Sequence, residues 1–160
     1  MTSTTDKPDR PGVIAPPPLL FAGAVAIGLA LHYWVIPINF GLGAGVRYGI
    51  SGVLIAAALS VYFWAIRLFD KAGTPSEPWK PTKALVTSGI YKYTRNPMYV
   101  AMAMILVGEA LFLDSVMLLL LLVPFLVVIR YGVIGPEERY LTAKFPVEYP
   151  EYRRRVRRWF

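Results

Sequence analysis

Four stretches of this chain, about residues 19–36, 43–69, 97–113 and 115–134, carry only Arg47, Arg67, Glu109 and Arg130 as charged residues between them. A helix that crosses the hydrocarbon layer of a bilayer needs roughly 20 apolar residues, within a range of about 17–25. The four runs approach or meet that length, the third being the shortest. They predict an all-α integral membrane protein with four transmembrane helices. A chain of 160 residues has room for one domain and no more.

The charges then orient the bundle. Short loops rich in Lys and Arg stay on the cytoplasmic side. Of 17 Lys and Arg residues, all but Arg47 fall on one side of the four runs. They lie before the first run, from the end of the second to the start of the third, and at or beyond the end of the fourth. Both termini are therefore expected in the cytoplasm. Tyr33, Trp34 and Tyr48 at the outer ends, with Tyr62, Phe63, Trp64 and Tyr131 towards the inner ends, match interfacial aromatic belts. His32, beside Tyr33 and Trp34, reads as another interfacial ring.

Residues 1–18 contain Asp6, Asp9 and five prolines. They predict a disordered cytoplasmic tail, not a cleavable signal, and leave 19–160 as the single domain. Beyond the fourth run, 136–145 and 148–159 predict two amphipathic cytoplasmic helices. Tyr149, Tyr152, Val156 and Trp159 recur at helical spacing in the second, among five arginines, as expected of a basic helix on a membrane surface. The basic residues thus point to lipid rather than nucleic acid. With no cysteine and one histidine, thiolate chemistry and a multi-histidine metal site are excluded, and no metal is expected.

Two dense polar motifs lie on the basic side: Arg95-Asn96-Pro97-Met98-Tyr99 and Glu137-Glu138. Asp114-Ser115 is all that joins the third and fourth runs, so these must be antiparallel neighbours. Pro97 lies 17 residues before that turn and Pro136 lies 21 after it. At about 1.5 Å per residue they are roughly 25 and 32 Å from it, on helix axes about 8–10 Å apart. The motifs are expected to face each other at the inner surface. Each also has a plainer reading. Asn96 and Pro97 suit the cap and first position of a helix, and the two acids suit a helix start. Pro124 predicts a kink in the fourth span. Glu109 reads as a snorkelling or paired acid near the outer surface. The glycines at 41, 43 and 45 read as a turn, and Ala22, Ala26 and Ala30 as a small-residue packing face.

Four blocks now carry a resemblance: Leu85-Val86-Thr87-Ser88-Gly89-Ile90-Tyr91; Arg95-Asn96-Pro97-Met98-Tyr99; Glu137-Glu138 with Leu141 and Phe145; and Tyr149, Tyr152, Val156 and Arg158. In this order and spacing, over about residues 70–159, the sequence resembles the isoprenylcysteine carboxyl methyltransferase and phospholipid methyltransferase family. The resemblance implies a membrane enzyme that moves a methyl group from S-adenosylmethionine to a lipidic or prenylated acceptor. It implies that Arg95, Asn96, Pro97 and Tyr99, with Tyr91 before them, form a first cofactor motif, and Glu137 and Glu138 a second. Tyr149, Tyr152 and Arg158 are implied to cap the pocket, and Arg95 and Glu138 to act in catalysis. Asn96 stands where many eukaryotic members carry histidine, which leaves it a hydrogen-bonding role. Pro146 replaces a usual glycine.

These residue types suit the chemistry. Displacement at a sulfonium methyl needs alignment above all, which can supply about 7–11 kcal/mol. An acid can hold the donor's hydroxyls or ammonium, an arginine its carboxylate, and aromatics its adenine and sulfonium. A carboxylate acceptor needs no base; an amine does. The alternatives are an NADPH-dependent reductase-like relative and a non-enzymatic four-span protein. A small multidrug-type transporter is disfavoured because 19–36 contains no acid.

Overall fold

The computed structural model describes residues 9–159, which are helical with no strand among them. In order come α1 (Pro17–Trp34), α2 (Ala44–Lys71), α3 (Pro97–Phe112), α4 (Val116–Leu120), α5 (Leu122–Val128), α6 (Gly135–Lys144) and α7 (Glu148–Arg155). A 3-10 turn, Gly89–Lys92, precedes α3, and a π-turn, Ile129–Ile134, joins α5 to α6. Three helical stretches are long and apolar enough to cross a membrane: α1, α2 and the continuous run from Val116 to Lys144. The apolar part of that run ends at Ile134, before Glu137, Glu138 and Arg139. At 16 residues, α3 is about 24 Å long, short of the roughly 30 Å hydrocarbon layer. It is apolar and packs centrally, burying Ala101, Met102, Leu106 and Ala110.

Small residues let the helices approach, as in membrane bundles generally. α1 meets α4 at Gly28, where a Cβ would stand 2.3 Å from Leu118 Cδ1 and 3.2 Å from its Cα. Ala22 and Ala26 of the small-residue face are exposed on the single chain. Gly28→Val should lower stability in detergent by about 1–3 kcal/mol, because the Leu118 backbone cannot yield as a side chain can. An unchanged thermal midpoint would contradict this packing.

The outer turn is latched. Asp114 takes a left-handed conformation (φ 57°), which aspartate tolerates better than most residues. Its carboxylate accepts the Phe40 N–H at 3.1 Å and pairs with Arg47 at 3.3 Å. Ser115 caps α4 by accepting the Leu118 N–H. Asp114 thus ties the α1–α2 loop and Arg47 of α2 to the α3–α4 turn. Glu109, expected to snorkel or pair, buries Oε2 with no hydrogen-bond partner among the described residues. His32 is 7% exposed and sits edge-on to Tyr33.

The break expected from Pro124 is present: α4 ends at Leu120 and α5 begins at Leu122, one turn ahead of Pro124, whose ring crowds the carbonyl four residues back. Three other points differ from expectation. The π-turn further on has no signal in the sequence pattern. Its Gly132 carbonyl accepts the Ile14 N–H at 3.0 Å. One extra residue in a helical turn rotates everything downstream by about 100°, and this resets the phase at which Glu137 and Glu138 emerge.

The second correction concerns the tail. Residues 1–8 of the expected disordered segment lie outside the described residues, but 9–16 dock along the C-terminal half. Asp9 accepts hydrogen bonds from Lys144 at 2.6 and 2.7 Å and from Tyr140 at 2.8 Å. Pro11 is buried, and Val13 packs on the core. The prolines that argued for disorder also restrict the free chain, so docking costs less entropy. Third, the helix expected over 148–159 stops at Arg155, and Val156 is extended.

Candidate active site

The site is built where α2 ends and α3 begins. Gly89 has φ +59°, and a Cβ there would stand 2.7 Å from Leu68 Cδ1 of α2, so only glycine fits both the turn and the contact. That turn presses Tyr91 inward, 4% exposed and edge-on to Phe69 at 5.5 Å. Pro97 opens α3, as its fixed φ favours. Asn96 occupies the cap position, but its side chain does not cap. It donates from Nδ2 to the Arg158 carbonyl at 2.8 Å.

The two acids of α6 have opposite surroundings. Glu138, 8% exposed, takes a bidentate pair from Arg158, Nε to Oε1 at 3.0 Å and Nη2 to Oε2 at 2.7 Å, and lies 3.2 Å from Arg95 Nη1. Burial works to raise its pKa, but Arg158, Arg95 and Arg153 outweigh burial and hold the carboxyl below its ordinary value. Glu137 makes no salt bridge among the described residues. Its Oε2 accepts from the Tyr99 hydroxyl at 3.0 Å. Beyond the apolar span and half-buried, its carboxyl is pushed up to about 7. Desolvation dominates, and the neighbouring Glu138 charge adds to it against the Tyr99 hydrogen bond.

The C-terminal segment closes the other wall. Tyr149 and Tyr152 project from one face of α7 into the site and are 3% and 4% exposed. The Tyr152 hydroxyl donates to the Tyr91 carbonyl at 2.7 Å, and Arg95 Nη1 donates to the Tyr149 hydroxyl at 3.4 Å. Burial raises the pKa of both α7 tyrosines and of Tyr91, so all three remain protonated donors. After α7 the chain turns back. The Arg157 carbonyl accepts the Arg95 N–H at 3.0 Å, and the Arg158 carbonyl accepts from Thr94 Oγ1 at 3.1 Å as well as from Asn96.

All nine residues expected from the sequence, Tyr91, Arg95, Asn96, Pro97, Tyr99, Glu137, Glu138, Tyr149 and Tyr152, line one cleft. Its enclosed cavity is about 70 Å³, within a total void of about 660 Å³ that includes its open side. Two buried donors of lining residues, the Tyr91 hydroxyl and Arg95 Nε, have no hydrogen-bond partner among the described residues. Buried donors are nearly always paired, so these two call for a partner.

Residues 46–148 match the phospholipid methyltransferase family. The match spans most of the chain and takes in α2, the Arg95 motif, α3 and both acids of α6. The chain belongs to that family. Methyl transfer at a membrane is therefore its class of activity. It is also 39% identical over 62 residues to an uncharacterized protein of Haemophilus influenzae, covering 39% of this chain and 98% of that one. No solved structure matches the chain. The family match stops short of α7 beyond Glu148 and of the returning C-terminal segment.

Some of the site escaped the sequence reading. Arg158 was placed in the cap, but the structure makes it the principal partner of Glu138. Its position in the Val156–Arg158 pattern was the available signal. Thr82, outside the four blocks, also lines the cleft, beside Leu85, Val86, Met98 and Leu141 from within them. The main-chain acceptors of Arg157 and Arg158 have no sequence signal, because any residue supplies the same carbonyl.

Proposed function

We propose that this protein is an S-adenosylmethionine-dependent methyltransferase acting at the cytoplasmic membrane face on a lipidic acceptor, either a phospholipid amine or an isoprenylcysteine-like carboxylate. The observation that carries this reading is the cleft, where nine residues from two distant motifs and the C-terminal helix converge around two unpaired buried donors. The donor set fits the cofactor. Arg95 Nε and the Tyr91 hydroxyl suit its carboxylate, Glu138 its ammonium or ribose, and Tyr149 and Tyr152 offer aromatic surface to adenine and sulfonium. The enclosed cavity is smaller than such a ligand, so binding moves α7 or the 72–88 loop outward.

When bound, the cofactor supplies a methyl group already activated on sulfonium sulfur. The protein's part is then to bind, orient and exclude water. Arg95, held between Glu138 and Tyr149, is the fixed point of the pocket. In this reading the chain crosses four times with both termini cytoplasmic, which puts the cleft at the headgroup level, where an acceptor lipid can present its polar end.

Binding decides the matter. The purified protein in detergent should bind S-adenosylhomocysteine but not NADPH, and should transfer labelled methyl groups from S-adenosylmethionine into a total lipid extract. Binding of NADPH alone, or of neither ligand, would sink the proposal.

A further inference from the structure

The walls of the cleft are held with very different strength. α7 and the segment after it are tied to the first motif and to Glu138 by the hydrogen bonds of Tyr152, Arg157 and Arg158. On the loop side, Thr82 and Ala84 line the cleft. Among the described residues, 75–84 make one hydrogen bond to another helix, from the Thr82 N–H to the Tyr140 hydroxyl of α6 at 3.1 Å. The segment has the build of a flap. At its base Gly73 takes φ +65° with open space around it, and the buried Thr74 closes the loop by accepting the Lys83 N–H at 2.8 Å. Beyond its far end Val86 is fixed in the cluster with Tyr91 and Tyr149.

The Tyr140 hydroxyl is a junction. A hydroxyl has one hydrogen to donate and two lone pairs to accept with, and here all three are used. It donates to Asp9 at 2.8 Å, and it accepts from Thr82 and from Lys144 Nζ at 3.0 Å. Lys144 also pairs with Asp9. Asp9 is kept in place by the rest of its segment, through the buried Pro11 and the Ile14 N–H on the Gly132 carbonyl. One oxygen thus joins the N-terminal segment, α6 and a wall of the cleft.

We propose that residues 75–84 are the lid of the cleft, and that Tyr140, held by Asp9 and Lys144, is the latch that keeps it shut in the empty protein; this deepens the methyltransferase reading and rests on it for the ligand. The latched cavity is about 70 Å³, too small for the cofactor, so the lid swings before the cofactor seats. A protein whose competent state is only partly populated binds with an affinity reduced by that fraction. The latch is weak enough to be reversible. Asp9 is exposed, and exposed ion pairs contribute little, whereas α7 would have to break several buried hydrogen bonds to move. Tyr140 is a positioning residue that acts on the ligand through Thr82.

The test uses the whole chain in detergent, with S-adenosylhomocysteine as ligand and trypsin as a probe of the empty protein. Tyr140→Phe keeps the ring and removes the junction oxygen. It should associate with S-adenosylhomocysteine about 3–10-fold faster than wild type, with a matching gain in affinity and little change in dissociation. A tyrosine that merely supported the wall would give the reverse. Asp9→Ala should give a smaller gain in the same direction. The double variant should gain no more than Tyr140→Phe alone, because both changes act through one oxygen. With no ligand present, trypsin should cut the Lys83–Ala84 bond about threefold faster in Tyr140→Phe than in wild type.

Unchanged or weaker binding by Tyr140→Phe would overturn the latch, and so would equal cleavage at Lys83. Gains that multiply in the double variant would overturn the shared junction. Faster cleavage without faster association would mean that another wall admits the ligand, and the lid would be lost. Failure of wild type to bind S-adenosylhomocysteine would instead remove the methyltransferase reading and the lid's ligand with it, leaving cleavage at Lys83 to decide the latch.

Discussion

Glu138→Ala is expected to abolish S-adenosylhomocysteine binding and to lower stability by about 3 kcal/mol. The figure follows from what the substitution leaves behind. Removing one partner of a buried ion pair strands the other charge and typically costs about 3–5 kcal/mol. Arg95, whose side chain is 9% exposed, would lose its carboxylate, and so would Arg158 at 28%. Arg158 can reach solvent, which is why the lower end of the range applies. The loss of binding follows from position. Arg95 touches Glu138 on one side and Tyr149 on the other, so a guanidinium released from the first relaxes away from the second. The unpaired Nε donor then moves with it. Calorimetric titration and thermal melting of the purified variant measure both effects. Glu138→Gln separates them, since it keeps the shape and one acceptor oxygen but not the charge. Should Glu138→Gln bind S-adenosylhomocysteine as wild type does, the ion pair would be a structural tie only.

The contrast between the two acids shows what sequence reading can and cannot reach. The hairpin was legible because its ingredients are local: two apolar runs, a two-residue turn, and a helical rise that places Pro97 and Pro136 at the same level. Convergence of the Arg95 motif with Glu137 and Glu138 followed from counting. Which acid pairs with which arginine did not, because that depends on the phase of α6. The π-turn at Ile129–Ile134 sets that phase, and it is fastened by Ile14 from a segment whose composition argued for disorder. The basic tail misled in the other direction. Tyr149, Tyr152, Val156 and Trp159 keep a helical spacing, yet the helix stops at Arg155, because the next residues find better partners in the backbone and side chains of Thr94, Arg95 and Asn96. Periodicity reports what a segment favours alone, and here tertiary hydrogen bonds override it. The dual role of Asn96 has the same origin: a residue typical of a helix cap spends its side chain on a carbonyl 62 positions away.

Ending the chain after Val156 should therefore disable the site more severely than any single side-chain change in the tail. Three donors on the first motif point at this segment: the Arg95 N–H at the Arg157 carbonyl, with the Thr94 hydroxyl and the Asn96 amide at the Arg158 carbonyl. Thr94 is 1% exposed and Asn96 8%, so water replaces these acceptors poorly. Each buried donor left unpaired costs about 1–3 kcal/mol. Glu138 loses its bidentate partner at the same time, and Trp159 leaves the core cluster it packs against. Arg158→Ala is the informative comparison. It removes the guanidinium but keeps the main-chain carbonyls, so the 94–96 segment stays in place and only the Glu138 pairing suffers. The expected order of S-adenosylhomocysteine affinity is wild type, then Arg158→Ala, then the truncated chain with no measurable binding. Helix content by circular dichroism should stay close to wild type in all three, since α1 to α6 lie outside the deleted residues. Equal affinity of the truncated chain and Arg158→Ala would mean that the returning segment acts through one side chain alone, and that its backbone contributes nothing to holding Arg95 in the cleft.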